Sequence, residues 1–397
     1  MHPRSSFLSL VGAAALGVLA GCATTSSQTQ PDGTATEPPQ TEPMTNTPPP
    51  SSGTTPWHTA RVGDRVVYAF TANRANVGAK TEARVAGRLA LEVVAVQAPW
   101  VWLKLSTSDE AGKPSSSLPL SKELVFPMST EASRSLEWTR GGTESTEELS
   151  AGGRTWEAKR YTEDKRPVDG PLENRLYASN PGPLYLTNGL LSASTTLSGF
   201  GASGGHQLTL VEFRQGAEGS TGTAPSLQYP LGPGTWSDSR LNPGTGEEVN
   251  RTCLAAERGF LLTSVGPAPT SGAPCPSFAN AEVVPVEEFL HSLAPWMADQ
   301  LRTPRYTGSP NRRGTLDVKG RKVPSLIFET SEKSDGAQQL RSEFYAAEPW
   351  DSTLDGLHYQ ARFGALGETV ERVEGKSRKP TFTQQLSDWG TWAGGAK

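Results

Sequence analysis

Ser203 stands in Gly201-Ala202-Ser203-Gly204-Gly205, the G-x-S-x-G order that holds a nucleophilic serine on a strand-to-helix turn. That chemistry needs a helix after the turn. Here Leu208 to Phe213 reads as a strand, and His206 lies too near Ser203 for a catalytic triad. The segment is therefore read as a glycine loop. The five histidines are His2, His58, His206, His291 and His358; none is paired at metal-ligand spacing, and no H-E-x-x-H occurs. His291 falls on a candidate helix and is read as a partly exposed surface residue. Glu247-Glu248 and Glu287-Glu288 read as ordinary solvated pairs. Two carboxylates across a cleft would suit glycoside hydrolysis, but nothing in the order of residues selects such a pair. Asp238 to Arg251 lacks calcium-loop spacing, and no glycine-rich phosphate loop precedes a helix. No catalytic, cofactor-binding or metal-ligating residue is singled out, and no cofactor is expected.

The chemistry that can be named concerns cysteine. There are three: Cys22, Cys253 and Cys275. Leu19-Ala20-Gly21-Cys22 follows a weakly basic start (His2, Arg4) and an apolar run from Phe7 to Ala20, too short to span a bilayer. This order resembles the lipobox of bacterial lipoproteins. The resemblance implies diacylglycerol on the Cys22 thiol, cleavage before Cys22, and acylation of the new amino terminus. Several acyl chains hold a protein to a membrane, each buried methylene contributing about 0.8 kcal/mol. Ala23 rather than Asp follows the cysteine, which in enteric bacteria goes with the outer rather than the inner membrane. With Cys22 lipidated, an even pair remains. An exported protein meets an oxidising compartment, so Cys253 and Cys275 are expected to form a disulfide. It would close a loop of about 22 residues, for roughly 3 kcal/mol in the chain-entropy treatment. A metal pair is the alternative, but the spacing fits no zinc pattern.

After a signal peptide (residues 1–21), residues 22–56 form a Thr/Pro/Ser-rich tether with Pro48-Pro49-Pro50 near its end. Beyond Cys22 it carries no Lys, Arg or aromatic residue until Trp57, so it buries too little apolar surface to offset ordering. The formal net charge of −4, with no block of like charge, argues against a nucleic-acid partner or a polybasic membrane patch. High glycine (41) and proline (32) with ten tryptophans indicate short strands and tight turns.

Period-two alternation recurs. Val66, Tyr68 and Phe70 share one face; Val85, Leu89, Leu91 and Val93 line a strand over 82–96; Val101, Leu103 and Leu105 oppose Trp100, Trp102 and Lys104. Leu357, Tyr359, Ala361 and Phe363 alternate in the same way and predict another strand. Val286, Phe289, Leu290, Leu293, Trp296 and Met297 instead recur at helical intervals, predicting one helix near 285–301. A weaker helix is expected over 129–137. The fold class expected is mainly β, built of antiparallel sheets with that one helix. Gly153-Arg154, Asp169-Gly170, Arg175 and Tyr177-Ala178 recur, within two residues, as Gly320-Arg321, Asp335-Gly336, Arg341 and Tyr345-Ala346. Gly63-Asp64-Arg65 and Gly234-Thr235 fit as the starts of the two copies. The pattern reads as two tandem modules or as a coincidence of common turn residues. On the first reading the modules cover 57–215 and 227–375, the second containing the helix, with a polar tail over 376–397 whose Trp389 and Trp392 are expected to dock back onto the body rather than to contact a partner or glycan.

The lipobox and tether, with phrases such as Gly182-Pro183-Leu184-Tyr185-Leu186 and Tyr345-Ala346-Ala347-Glu348-Pro349-Trp350, resemble an uncharacterised, myxobacterial-type lipoprotein family. The resemblance implies no activity. Three functions stay open: a non-enzymatic binding or structural component of the envelope, a periplasmic carrier of lipid or lipoprotein on a curved sheet, and an envelope hydrolase. They predict respectively no cavity, an apolar one, and a polar, charged one. The partners expected are the membrane, through lipid on Cys22, and an envelope protein or lipid.

Overall fold

Alternating apolar residues make strands throughout the body. The computed structural model describes residues 56–392, apart from 77–81, 132–135, 200–201, 224–233, 245, 270–273, 276–277 and 335. The signal, Cys22 and nearly all of the tether lie outside the described residues.

The first nine strands are β1 (Arg65–Asn76), β2 (Ala83–Gln97), β3 (Trp100–Ser108), β4 (Leu124–Ser129), β5 (Thr143–Ala151), β6 (Arg154–Asp164), β7 (Leu172–Ala178), β8 (Leu190–Gly199) and β9 (Ala202–Arg214). They pair in the order β5-β6-β7-β8-β9-β1-β2-β3-β4, antiparallel throughout. The next nine are β10 (Gly234–Asn242), β11 (Glu248–Glu257), β12 (Phe260–Pro267), β13 (Glu282–Pro285), β14 (Arg312–Val318), β15 (Arg321–Ser334), β16 (Ala337–Ala346), β17 (Ala365–Glu374) and β18 (Ser377–Trp392). They pair as β14-β15-β16-β17-β18-β10-β11-β12-β13, the same order with every label raised by nine. One parallel contact, Glu257 to Ser129, joins the two runs.

The correspondence reaches individual residues. β9 skips one residue opposite Val67/Tyr68, and β18 skips one opposite Asp238/Ser239. A second matching pair of shifts falls at Leu176/Tyr177 and Phe344/Tyr345. Such bulges sharpen twist and re-aim the chain, so the two sheets bend at matching places. Gly153-Arg154 and Gly320-Arg321 each lead into the sixth strand of their run, and Tyr177-Ala178 and Tyr345-Ala346 each end the seventh. Edge-on aromatic pairs also match: Tyr161 with Tyr177 at 6.0 Å, and Phe328 with Tyr345 at 5.5 Å.

The helix α1 (Val286–Gln300) follows β13 but lies across β1, β2 and β9 of the other run. There Val66, Tyr68, Phe70, Leu89, Leu91, Leu208 and Leu210 form one continuous buried face. Phe289, Leu290, Leu293, Trp296 and Met297 complete that core. Burying side chains of this size contributes about 1.5–3 kcal/mol each. This packing offsets the backbone hydrogen bond that Pro295 removes inside the helix. Counted from the bulges, the matching face of the second run carries Ser237, Ser239, Thr252, Gln384 and Leu386 in place of Val66, Tyr68, Leu91, Leu208 and Leu210. Its own core is smaller, built around Val318, Val323, Leu357, Leu366 and Trp389.

Several expectations are corrected. The stretch 357–363 is not a strand: beyond the short helix α2 (Pro304–Thr307), Tyr359–Phe363 forms a further short helix, α3, burying Tyr359, Arg362 and Phe363 at i, i+3, i+4 spacing. A run this short fits both periods, and burial decides. The expected polar tail is the strand β18, paired on both sides. Trp389 is 2% exposed, donates from Nε1 to the Asp355 carbonyl at 3.0 Å and lies under Arg321. Of the weak helix expected over 129–137, Ser129 ends β4, residues 136–137 are irregular, and 132–135 lie outside the described residues. Ala202 to Gly205 belong to β9, at the tip of the hairpin with β8, rather than to a free loop. A Cβ on Gly204, at φ +150°, would meet the Asn73 carbonyl at 2.2 Å, so the close approach of β1 requires glycine there.

Candidate functional site at the junction of the two runs

Trp57 opens the described chain inside the body, in the short turn Pro56–Thr59, and is 5% exposed. Its ring meets Tyr185 edge-on at 5.5 Å. Tyr185 comes from the turn Gly182–Thr187 between β7 and β8, where Pro183 helps to start a tight helical turn. Its hydroxyl donates to Asp64 Oδ2 at 2.6 Å, and burial of the phenol pushes its pKa upward. Asp64 also accepts from the Arg61 and Gly216 backbone N–H groups, both at 2.8 Å, which ties the turn and the end of β9 together.

Trp57 and Tyr185 wall one side of a pocket of about 310 Å³. The other side comes from the second run: Arg258, Gly259 and Phe260 at the β11–β12 turn, then Pro285 and Glu287 where β13 enters α1. Pro56, Leu136, Pro181, Leu186 and Asn188 complete the lining. Volume, aromatic walls and a few convergent polar groups are the usual attributes of a small-molecule site.

Glu287 is the unusual member. Expected as half of a solvated pair, it is 1% exposed at the start of α1. Burial pushes its carboxyl up to about 8, so it is largely protonated at neutral pH. Asn188 Nδ2 donates to its Oε1 at 3.4 Å, a weak bond. Glu288 is held differently, in the fork of Arg175, which donates to its two oxygens at 2.6 and 3.0 Å. Two adjacent carboxyls therefore have separate environments, because successive helical residues point about 100° apart.

Farther along α1, His291 is 3% exposed, which corrects the expected surface placement. Its ring meets His206 of β9 at 4.3 Å, and Arg74 Nη2 lies 3.3 Å from His206 Nδ1. Burial, with Arg74 and Arg175 nearby, lowers the pKa of both rings, leaving them neutral. Arg74 also pairs with Asp299 at 3.8 Å. Ser203 sits on the same strand as His206, two residues from the hairpin end, with its side chain exposed. The structure thus brings His206 and His291 together, but not into a nucleophile–base pair with Ser203. Among the described residues, no group of three or more His, Cys, Asp or Glu side chains is placed to hold a metal ion.

A second, much smaller recess, of about 50 Å³, opens on the polar face of the second run between β10, β11, β17, β18 and α3. It is lined by Ser237, Ser239, Thr252 and Gln384 with Leu366 and Leu386. Its acid Glu368 is already paired with Arg341 at 2.8 Å. Away from both recesses, a disulfide joins Cys253 to Cys275, with Cα atoms 6.0 Å apart. Cys253 is fully buried on β11 beside Arg251, whose guanidinium is held by Asp238 and stacks on Trp236. Cys22 lies outside the described residues, as does every feature of the lipobox.

A family model described as "Family of unknown function (DUF6068)" matches residues 2–397. The chain belongs to that family. No curated protein matches this sequence. Among solved structures, it is similar to MucB in complex with MucA(peri), at 7% identity and a TM-score of 0.22, covering 69% of this chain and 86% of that one. A DUF3598 protein from Nostoc punctiforme follows, at 11% identity and TM-score 0.12, covering 80% and 93%. Kievitone hydratase from Nectria haematococca gives 11% identity and TM-score 0.13, covering 84% and 89%. Superpositions this poor carry nothing over to members of the DUF6068 family. Among the described residues, no helix is long and apolar enough to cross a membrane, which leaves strands and lipid anchors aside.

Which functional groups were legible beforehand differs by type. The cysteine pair is legible from parity. No local pattern marks Glu287 and Phe260 for a pocket, because their partners Trp57, Tyr185 and Asn188 lie roughly 70–230 residues away. The one available signal was the position of Glu287 on the apolar-rich start of α1.

Proposed function

We propose that this chain is a lipid-anchored, non-enzymatic binding protein of the bacterial cell envelope, with the junction pocket as its ligand site. The expectation of no cavity for a non-enzymatic component is revised here, because the pocket itself carries the binding reading: aromatic walls from both runs and a buried carboxyl, an amide and a guanidinium line it together. The lipobox supports the anchor on Cys22, and the tether meets the body at Trp57, on the pocket wall. Ala23 favours the outer membrane. The carrier alternative is weakened because α1 fills the apolar face that a curved-sheet carrier would offer. The hydrolase alternative is weakened because the carboxylate next to Glu287 is locked by Arg175.

Two measurements test this reading. Cys22→Ser is expected to move the protein from the membrane to the soluble fraction; unchanged fractionation removes the anchor. Native mass spectrometry of the exported Cys22→Ser protein, purified without delipidation, is expected to show a mass above that of the same sample under denaturing conditions. A bare chain mass would count against a resident ligand.

A further inference from the structure

The polar groups around the junction pocket share one property. Arg258 offers only donors, and its guanidinium, half-buried, makes no hydrogen bond or ion pair with another described residue. Asn188, exposed on the lining, carries an amide whose Nδ2 donates to Glu287 Oε1. Glu287, when protonated, adds an O–H donor. The charged and titratable groups facing Glu287 are Arg140, before β5, Glu288 on its own helix, and the phenols of Tyr68 on β1 and Tyr177 on β7, which burial pushes up and keeps neutral. Glu288 is neutralised by Arg175, while Arg140 lies over the Tyr177 ring at 3.8 Å. Net charge at the site is therefore positive. The remaining walls, Trp57, Leu136, Leu186 and Phe260 with Pro56, Pro181 and Pro285, are apolar.

We propose that this pocket binds an anionic amphiphile: a single carboxylate or phosphate head against Arg258 and the donors beside it, with an apolar body along the aromatic and proline walls. This rests on the reading of the pocket as a binding site. A positive, donor-rich end with an apolar remainder selects for an acceptor head and a greasy body. An ammonium head would have to sit beside Arg258 and ionise Glu287 in a buried site. Protonated Glu287 favours the anion; once ionised it repels it, so affinity falls as pH rises through about 8.

The test is calorimetric titration of the full chain carrying Cys22→Ser, purified without detergent. The probes are dodecanoate, dodecyl phosphate, inorganic phosphate and dodecyltrimethylammonium, each below its micelle concentration. Saturable binding of one or both anionic amphiphiles is expected, with weaker binding of phosphate alone. Arg258→Gln should weaken it about tenfold, and Arg258→Lys should restore part of the loss. Glu287→Gln should keep affinity at pH 7 and abolish the fall between pH 7 and 9, a readout that misfolding cannot mimic. Dodecanoate favoured over dodecyl phosphate would identify a fatty-acid head, and the reverse a phospholipid-like head. Tighter binding of the ammonium amphiphile, lost in Glu287→Gln, would overturn the anion assignment while leaving the pocket a binding site. Phosphate matching dodecyl phosphate would overturn the apolar half of the assignment. Binding of no probe at all would overturn the proposal and count against the site itself.

Discussion

At the residue scale, the surprise is how many titratable side chains are buried under α1. His206 and His291 have pKa values lowered by burial, and Glu287 has one raised by it. For the histidines, the unfolded chain takes up protons below about pH 6.5 that the folded chain refuses. Their contribution to stability is full above that pH and is lost as pH falls. The slope approaches about 1.4 kcal/mol per pH unit for each ring. Glu287 acts in the opposite direction: the folded chain keeps a proton up to about 8 that the unfolded chain releases near 4.5. Its contribution is full below 4.5 and is lost as pH rises through 8. Urea midpoints measured from pH 5 to 9 should therefore fall at both ends. Glu287→Gln is expected to remove much of the alkaline fall and leave the acid one; an unchanged alkaline limb would show that Glu287 is ionised in the folded protein. None of this was legible from residue type, since Glu287-Glu288 on a helix is ordinarily solvated. The Cys253–Cys275 bond was legible, because setting Cys22 aside leaves a single even pair, which needs no coordinates.

At the element scale, α1 is the part that couples everything else. Its apolar residues were apparent from their 3.6-residue spacing, yet the spacing could not say which sheet they meet. Trp296 shows the consequence: it packs edge-on against Tyr359 at 5.2 Å and Phe363 at 5.8 Å while closing the core of the first run. Trp296→Ala is expected to destabilise the protein by about 3–5 kcal/mol. Denaturant unfolding followed by far-ultraviolet circular dichroism checks this, and a loss under about 1 kcal/mol would mean that α1 is only loosely seated. The stretch 357–363 shows the converse limit. Seven residues of clean alternation became a turn and α3, because such short runs satisfy either period and their packing partners choose.

At the scale of the whole molecule, two nine-strand runs share one pairing order and matching bulges, but they have separate fates. The first is roofed by a helix supplied from the second. The second keeps Ser237, Ser239 and Thr252 where the first buries Val66, Tyr68 and Leu91. Neither run is complete alone. Residues 57–223 expressed without the remainder would expose the face of Tyr68, Phe70, Leu89 and Leu210, a contiguous apolar patch. That fragment is expected to aggregate or to bind a hydrophobic dye strongly. A soluble, monomeric fragment with native-like unfolding would show that the face is sealed without α1.

The amino-acid sequence by itself determined the local facts: where strands alternate, where one helix runs, which cysteines pair, and that short phrases recur about 167 residues apart, as Gly153 and Gly320 do. These depend on neighbours within a few residues or on simple parity. Only the tertiary structure decided that residues 377–392 are a strand rather than a tail, that α1 roofs the other run, and that Trp57, Tyr185, Arg258, Phe260 and Glu287 enclose one pocket. Those outcomes depend on contacts between residues far apart in the chain. They are chosen by the free energy of burying distant surfaces together, which no local pattern encodes.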